Sequence, residues 1–341
     1  MKLLLYSPAF LPHIGGLEIK VACLAEEFQR AGHEVIVVSK TPNSRPDDFP
    51  FRVVRAPSPV ELLRWTRWCD VFFQFNVSLR GLWPLLLVRR PWVVSHQSWY
   101  RQEDGRIAWQ DRVKRFLLRW ARASVSISEA IAEDLGTPSV VIANSYREGL
   151  FCRMPEVERT GDLVFVGRLV SDKGVDILLE AVARLARQGL TPSLTIIGDG
   201  PEAPRLREQA HRLGIAERVG FLGIRTGEEL VRLMNRHAIL VVPSRYNEPF
   251  GIVALEGIAC GCVVVGSEGG GLRDAIGACG PTFRNGDVEG LATVLARLLR
   301  HPESLESYRA QAAAHLARHT PAGVAAAYLQ AIEAGLRRPG R

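Results

Sequence analysis

Short apolar runs alternate with longer amphipathic stretches along this chain, and the alternation stops once and then restarts. In the first half the runs Leu3–Tyr6, Val35–Ser39, Val71–Phe75, Trp92–Ser95, Ser124–Ile127 and Val140–Ile142 read as strands. Helical patterns at Leu17–Ala31 and Arg106–Arg122 fall between them. Solidly apolar strands separated by amphipathic helices predict a parallel sheet covered on both faces. Residues 147–162 are polar and lack periodicity, which predicts a linker. The pattern then resumes with strands at Leu163–Gly167, Leu194–Gly198, Val219–Leu222, Ile239–Val242 and Val263–Gly266. Helices are expected at Val175–Gln188, Glu202–Leu213, Gly227–Asn235, Ile252–Ala259, from about Asp287, and in the alanine-rich tail Pro321–Leu336. A chain of 341 residues exceeds one ordinary core. The expectation is an α/β chain of two doubly wound domains, over 1–150 and 160–320. A last helix over 321–341 has packing back on the first domain as one option. Ligands of such sheets bind at the carboxyl ends of the strands, so two facing domains would hold the site in the cleft between them.

The segment NEPFGIVALEGIACG carries the most specific signal. Seven residues lie between Glu248 and Glu256. Pro249 suits a helix start and Gly251 permits close backbone approach, which puts Glu248 on a loop at the helix mouth and Glu256 inside the first turns. Free N–H groups at that mouth form an anion site. A phosphate there, with a carboxylate for hydroxyls on either side, describes a sugar nucleotide. A solvated Glu pair is the commoner meaning of a bare spacing, so the neighbouring motifs decide.

Those motifs point the same way. Gly15 and Gly16 precede a helical pattern, with no side chain to block an anion at its N-terminus. Arg168 follows strand LVFVG and Lys173 comes five residues later, so a fork and a point charge stand near one strand end, where a diphosphate could be clamped. His96 ends the run WVVSH, where a sugar hydroxyl could reach it; a satisfied buried histidine is the blander meaning. Gly198, Gly200 and Ala203 match the GxGxxA dinucleotide fingerprint. The next strand, VGFLG, ends without the acidic residue that fingerprint needs, so these glycines read as tight-turn chemistry.

Bulk properties exclude more than they choose. No run of eighteen apolar residues exists to span a bilayer. Pro8 interrupts the apolar start, which reads as a buried strand and not a signal peptide. The net charge of +7 suits an anionic ligand or surface. Six cysteines show no metal-like pair, and Cys260 and Cys262 stand too close for most zinc sites, so reduced thiols in a cytoplasmic protein are expected. The segments VELLRWTRW and WQDRVKRFLLRWAR mix arginine with tryptophan and leucine. They are either core-facing helices with charged outer faces or contacts for an anionic membrane or lipid-linked acceptor. No nucleic-acid motif is present.

In order, the GG pair, the histidine after a strand, GRLVSDKG, GDGP, PSRYNEPFGIVALE and GGGLRDAI resemble the family 4 glycosyltransferases over nearly the whole chain. The resemblance implies the two-Rossmann-domain GT-B architecture and a retaining transfer from a nucleotide-diphosphate sugar, a UDP- or GDP-sugar, to a saccharide, lipid-linked or small-molecule hydroxyl. It implies that Glu256 binds the donor ribose, and that Glu248 holds the transferred sugar with the backbone at Phe250, Gly251, Ile252 and Val253. Arg168 and Lys173 would neutralise the diphosphate, with Gly15 and Gly16 against it, and His96 would touch the donor sugar. No DxD motif is present, and two cations can replace a metal, so neither metal nor cofactor is expected. The expected setting is cytoplasmic, with attachment to the inner membrane surface as an option. Alternatives are a non-catalytic sugar-nucleotide-binding protein, a GT-B epimerase and, last, an oxidoreductase.

Overall fold

The computed structural model describes residues 1–12, 15–43, 46–102 and 105–337. The chain divides into one unit of Met1–Ser145 with Pro321–Arg341 and another of Tyr146–Thr320.

In chain order the first unit contains β1 (Lys2–Ser7), α1 (Gly16–Arg30), β2 (Glu34–Ser39), β3 (Arg52–Arg55), α2 (Pro59–Trp68) and β4 (Val71–Phe75). The short helices α3 (Leu79–Leu82) and α4 (Pro84–Leu87) lead to β5 (Trp92–His96), α5 (Trp109–Leu117), β6 (Ala123–Ser126), α6 (Glu129–Leu135) and β7 (Val140–Val141). All pairs are parallel, in the order β3-β2-β1-β4-β5-β6-β7. The strand order therefore reverses between β1 and β4, where Tyr6 stands opposite Gln74. The sequence expectation missed β3, which is short and only half-buried. Local chemistry sets the helix ends. Ser58 and Glu61 form a reciprocal capping box with Pro59 as the first residue of α2. The C-terminal helix Pro321–Arg337 belongs to this unit: Val324, Tyr328 and Ile332 join the core made by Leu3, Leu5, Phe28, Phe73 and Val93. The last four residues of the expected 321–341 helix lie outside the described residues.

The second unit repeats the topology. It runs β8 (Gly161–Val166), α7 (Val175–Arg187), β9 (Leu194–Ile197), α8 (Ala203–Arg212), β10 (Val219–Gly223), α9 (Gly227–Asn235), β11 (His237–Val242) and α10 (Ile252–Ala259). It continues through β12 (Val263–Ser267), α11 (Leu272–Ile276), β13 (Thr282–Phe283), α12 (Val288–Arg300), α13 (Leu305–Arg309) and α14 (Ala312–Leu316). The parallel order β10-β9-β8-β11-β12-β13 reverses between β8 and β11. Apolar strand faces and the inner faces of α7 and α12 make the core, including Phe165, Leu178, Ile196, Val241, Leu291 and Leu295.

The expected linker is corrected. Residues 147–160 pack on the second unit: Phe151 is buried, the Met154 N–H donates to Asn235 Oδ1 at 2.8 Å, and the Arg159 guanidinium donates to the His237 and Cys260 carbonyls. A polar aperiodic stretch can be anchored by a few long-range bonds that leave no periodic trace.

Candidate active site

In the second unit, loops leave the carboxyl ends of the neighbouring strands β8 and β11 at the point where strand order reverses. Open parallel sheets bind their ligands there. After β8 come Arg168, a single 3-10 turn at Ser171–Lys173, and then α7. After β11 comes the loop to Gly251, which opens α10. The two loops are tied: the Arg245 N–H donates to the Asp172 carbonyl at 2.8 Å, and the Arg245 guanidinium meets Asp176 Oδ2 at 2.6 Å. Asn285 fixes the third wall, accepting the Gly269 N–H at 2.8 Å and donating to the Arg245 carbonyl at 3.3 Å. The Gly271 N–H donates to the Glu248 carbonyl at 2.7 Å, joining the glycine-rich loop to the acidic one.

On this frame Lys173 Nζ donates to Glu248 Oε1 at 2.5 Å, and Ser244 Oγ donates to the same oxygen at 2.7 Å. Glu248 is 9% exposed. Oε1 thus has two donors. One turn into α10, Glu256 Oε1 accepts from Arg147 Nη2 at 3.3 Å. Burial raises the Glu256 carboxyl to about 7, and the Arg147 charge only partly opposes it. Gly251 sits at φ 105°, and a Cβ there would come within 2.6 Å of Leu272 Cδ1, so the helix mouth needs glycine. The N–H groups of Ile252 and Val253 open α10 with no preceding turn to accept them. Phe250 itself is buried against His319, ring centroids 5.8 Å apart, so only its backbone faces outward chemistry. Arg168 is exposed and makes no hydrogen bond or ion pair among the described residues.

The structure thus brings together Lys173 and Glu248, with Glu256 and the Phe250–Val253 backbone on the same loop and helix. Sequence reasoning missed Ser244, Arg147 and Asn285. Ser244 follows the strand end in PSRYNEP and could have been read as a partner for the nearby carboxylate. Arg147 lies 109 residues from Glu256 and gave no local signal. The tight-turn reading of GDGP has a geometric basis. A Cβ on Gly198 would meet the Gly167 carbonyl oxygen at 1.8 Å and one on Gly200 the Leu169 carbonyl oxygen at 2.4 Å. These glycines let the turn after β9 lie backbone to backbone on the turn after β8.

The first unit treats its candidates differently. Gly15 caps α1 in extended conformation with no side-chain bond, and Gly16 is exposed. His96 is fully buried: Nδ1 lies 2.9 Å from the Tyr100 hydroxyl and Nε2 2.9 Å from Ser124 Oγ. The Tyr100 oxygen also accepts the Val77 N–H at 2.8 Å. Burial pushes the imidazole down to about 3, leaving it neutral. In this geometry both ring nitrogens are bonded to hydroxyls within the first unit.

The family pattern described as "Glycosyl transferases group 1" matches residues 153–315, the part that contains Lys173, Ser244, Glu248 and Glu256. A glycogen synthase of Mycobacterium tuberculosis is 30% identical over 92% of this chain and 89% of its own length. The chain belongs to the glycosyl transferases group 1 family. Glycosyl transfer is accordingly its reaction. A D-inositol 3-phosphate glycosyltransferase of Stackebrandtia nassauensis is 38% identical over 50% of this chain and 42% of its own length. Among solved structures, the Anabaena protein HepE in complex with UDP and glucose superposes with a TM-score of 0.82 at 21% identity, covering 98% of this chain and 99% of that one. A sucrose-phosphate synthase of Thermosynechococcus elongatus gives 0.80 at 21% identity, over 96% and 97%. These likenesses establish the GT-B fold. Among the described residues no helix is long and apolar enough to cross a membrane.

Proposed function

We propose that this glycosyltransferase takes its sugar from a UDP- or GDP-sugar, retains the anomeric configuration and works without a metal. The cluster Lys173–Glu248–Ser244 at the β8/β11 switch point carries the reading, with Glu256 one turn into α10. Glu256 would accept the ribose hydroxyls and Glu248 those of the transferred sugar. Arg168, Lys173 and the first N–H groups of α10 would face the diphosphate. The anomeric carbon–oxygen bond breaks and negative charge gathers on the departing diphosphate; cations and helix N–H groups already in place stabilise it. The acceptor oxygen attacks from the same face and its proton passes to a phosphate oxygen. The solved complex of HepE with UDP-glucose supports the uridine donor as the first to test.

The test is turnover of UDP- and GDP-hexoses, with product anomers read by proton NMR. Retained configuration and activity unchanged by EDTA support the reading. Inverted product or loss with the chelator overturns it.

Peripheral attachment to an anionic membrane is a separate proposal resting on α5. That helix buries no residue, and its Trp109, Val113 and Phe116, with Trp120 in the 3-10 turn that follows, have exposures of 69%, 37%, 49% and 54%. Exposed Arg112 and Arg119 flank the stripe. An apolar stripe turned outward beside cations suits a lipid interface. Sedimentation with phosphatidylglycerol vesicles, but not phosphatidylcholine vesicles, supports it if the Trp109→Ser/Phe116→Ser/Trp120→Ser variant stays in solution. Equal sedimentation of that variant overturns it.

A further inference from the structure

The two carboxylates of the second unit are held differently. Glu248 has Lys173 and Ser244 as donors, whereas Glu256 depends on one side chain, Arg147. Only Oε1 of Glu256 is engaged; Oε2 makes no hydrogen bond or ion pair among the described residues. Arg147 is fixed from its backbone outward. The Tyr146 N–H donates to the His319 carbonyl at 3.2 Å, and the Leu150 and Phe151 N–H groups donate to the Arg147 carbonyl at 3.0 and 2.8 Å. The guanidinium lies 4.9 Å from the centre of the buried Phe151 ring. All of these residues belong to the second unit.

The pairing is incomplete. Nη2 reaches the carboxylate at 3.3 Å, while the buried Nε has no hydrogen-bond partner among the described residues. An arginine that served the fold alone would gain more by closing a two-pronged fork on its carboxylate. An unpaired buried N–H is costly, and each such group in a folded protein asks for a reason. The other ionisable groups around α10 are engaged elsewhere or exposed. On α14, His315 Nε2 donates to the Ala275 carbonyl at 2.8 Å, and Arg318 meets its Nδ1 at 3.1 Å. Arg159 and Arg309 donate to the Cys260 and Gly261 carbonyls, each at 3.1 Å. His237 of β11 is bonded to the Leu233 carbonyl and Thr195. Burial keeps the Cys260 thiol protonated. Arg273 on α11, Glu148 and Cys152 are exposed, and Asp274 is half-buried. Burial raises the Glu256 carboxyl to about 7 with the Arg147 charge opposing it, so removing that charge leaves burial unopposed.

We propose that Arg147 is a positioning residue for donor binding. It keeps the Glu256 carboxylate ionised near neutral pH and occupies Oε1, which leaves Oε2 for a ribose hydroxyl of the donor. This role rests on the proposed assignment of Glu256 to that ribose; the hold of Arg147 on the carboxylate does not. Two readouts on the full chain keep the claims apart. The first is carbon-13 NMR of glutamate-labelled protein, with the Glu256 carboxyl identified by the signal lost in Glu256→Gln. Wild type should titrate near pH 7 and Arg147→Lys close to it. Arg147→Met should titrate higher by about one pH unit or more, because it removes the opposite charge. The second readout is UDP-glucose affinity by calorimetry from pH 5.5 to 8.5. Arg147→Met should bind several-fold more weakly than wild type at pH 7.5, with its pH dependence displaced upward to match the carboxyl, and Arg147→Lys should restore both. An arginine needed only for folding would instead weaken binding equally at every pH. An unmoved carboxyl midpoint in Arg147→Met, or an Arg147→Lys midpoint displaced as far, overturns the proposal whatever the donor. A displaced midpoint without a matching change in donor binding overturns it by striking the ribose assignment.

Discussion

Two sheets of the same topology handle buried polar groups in opposite ways. In the first unit the interior groups near the carboxyl ends of the strands are bases whose charged forms burial disfavours and whose hydrogen-bond partners are neutral. Lys20 Nζ donates to Asn144 Oδ1 and, at 2.9 Å, to the Tyr328 hydroxyl, which lies 2.7 Å from Ser95 Oγ. Burial holds the Lys20 amine well below its ordinary range, as it does the His96 imidazole. In the second unit the corresponding groups are carboxylates facing cations, Glu248 with Lys173 and Glu256 with Arg147. Closed networks fix a structure, and the C-terminal helix is docked in this way through Tyr328. Carboxylate–cation pairs at a strand end can exchange partners with a charged ligand. Shared topology therefore does not imply shared chemistry; the side chains at each switch point decide.

The comparison is broken most directly by turnover. Lys173→Ala should lower kcat by about 10²–10³, the usual cost of removing one preorganised donor to developing charge. His96→Asn should change kcat less than tenfold once stability is allowed for. An equal, large loss in both would put the first-unit histidine into the chemistry. Next comes donor affinity: Glu256→Ala should raise the UDP-glucose Kd by about 10–100-fold, since hydrogen bonds to a charged group are worth about 1.5–3 kcal/mol.

Stability against pH sharpens the contrast further. His96 titrates at about 3 folded and near 6.5 unfolded, so the unfolded chain binds more protons between those values and stability falls as pH drops through that window. Glu256 titrates at about 7 folded against an ordinary 4.5, so here the folded state binds more protons and stability rises as pH falls from 7 toward 4.5. Relative to wild type, the Tm of Glu256→Gln should be more favourable at pH 8 than at pH 5. The Tm of His96→Asn should be more favourable at pH 5 than at pH 8. Parallel trends in the two variants would remove the distinction. The smallest effect is Tyr328→Phe, which takes one donor–acceptor from Lys20 and Ser95 and should cost about 1–3 kcal/mol by chemical denaturation, with donor affinity unchanged.

Much of this was legible in the chain. Periodicity placed β4, α9 and α10 at their observed bounds, because solid apolar runs and a helix start after Pro-Phe-Gly are local signals. The loop position of Glu248 and the helical position of Glu256 followed from Pro249 and Gly251. What stayed hidden depends on contacts far apart in sequence. Arg147 looked like part of a linker until its partner, Glu256, was known. The bonds of His96 stayed hidden because nothing local to WVVSH announces Tyr100 and Ser124 as its neighbours.

The central claim is that the Glu256 carboxylate belongs to a donor site in the second unit. Its most direct test is calorimetric titration of UDP-glucose from pH 5.5 to 8.5 into wild type and Glu256→Gln, because this diphosphate diester does not itself titrate in that range. Affinity for wild type should rise as pH passes about 7 and Glu256 ionises, and the rise should vanish in the variant, which binds weakly throughout. Equal affinities with the same pH dependence in both proteins would contradict the account.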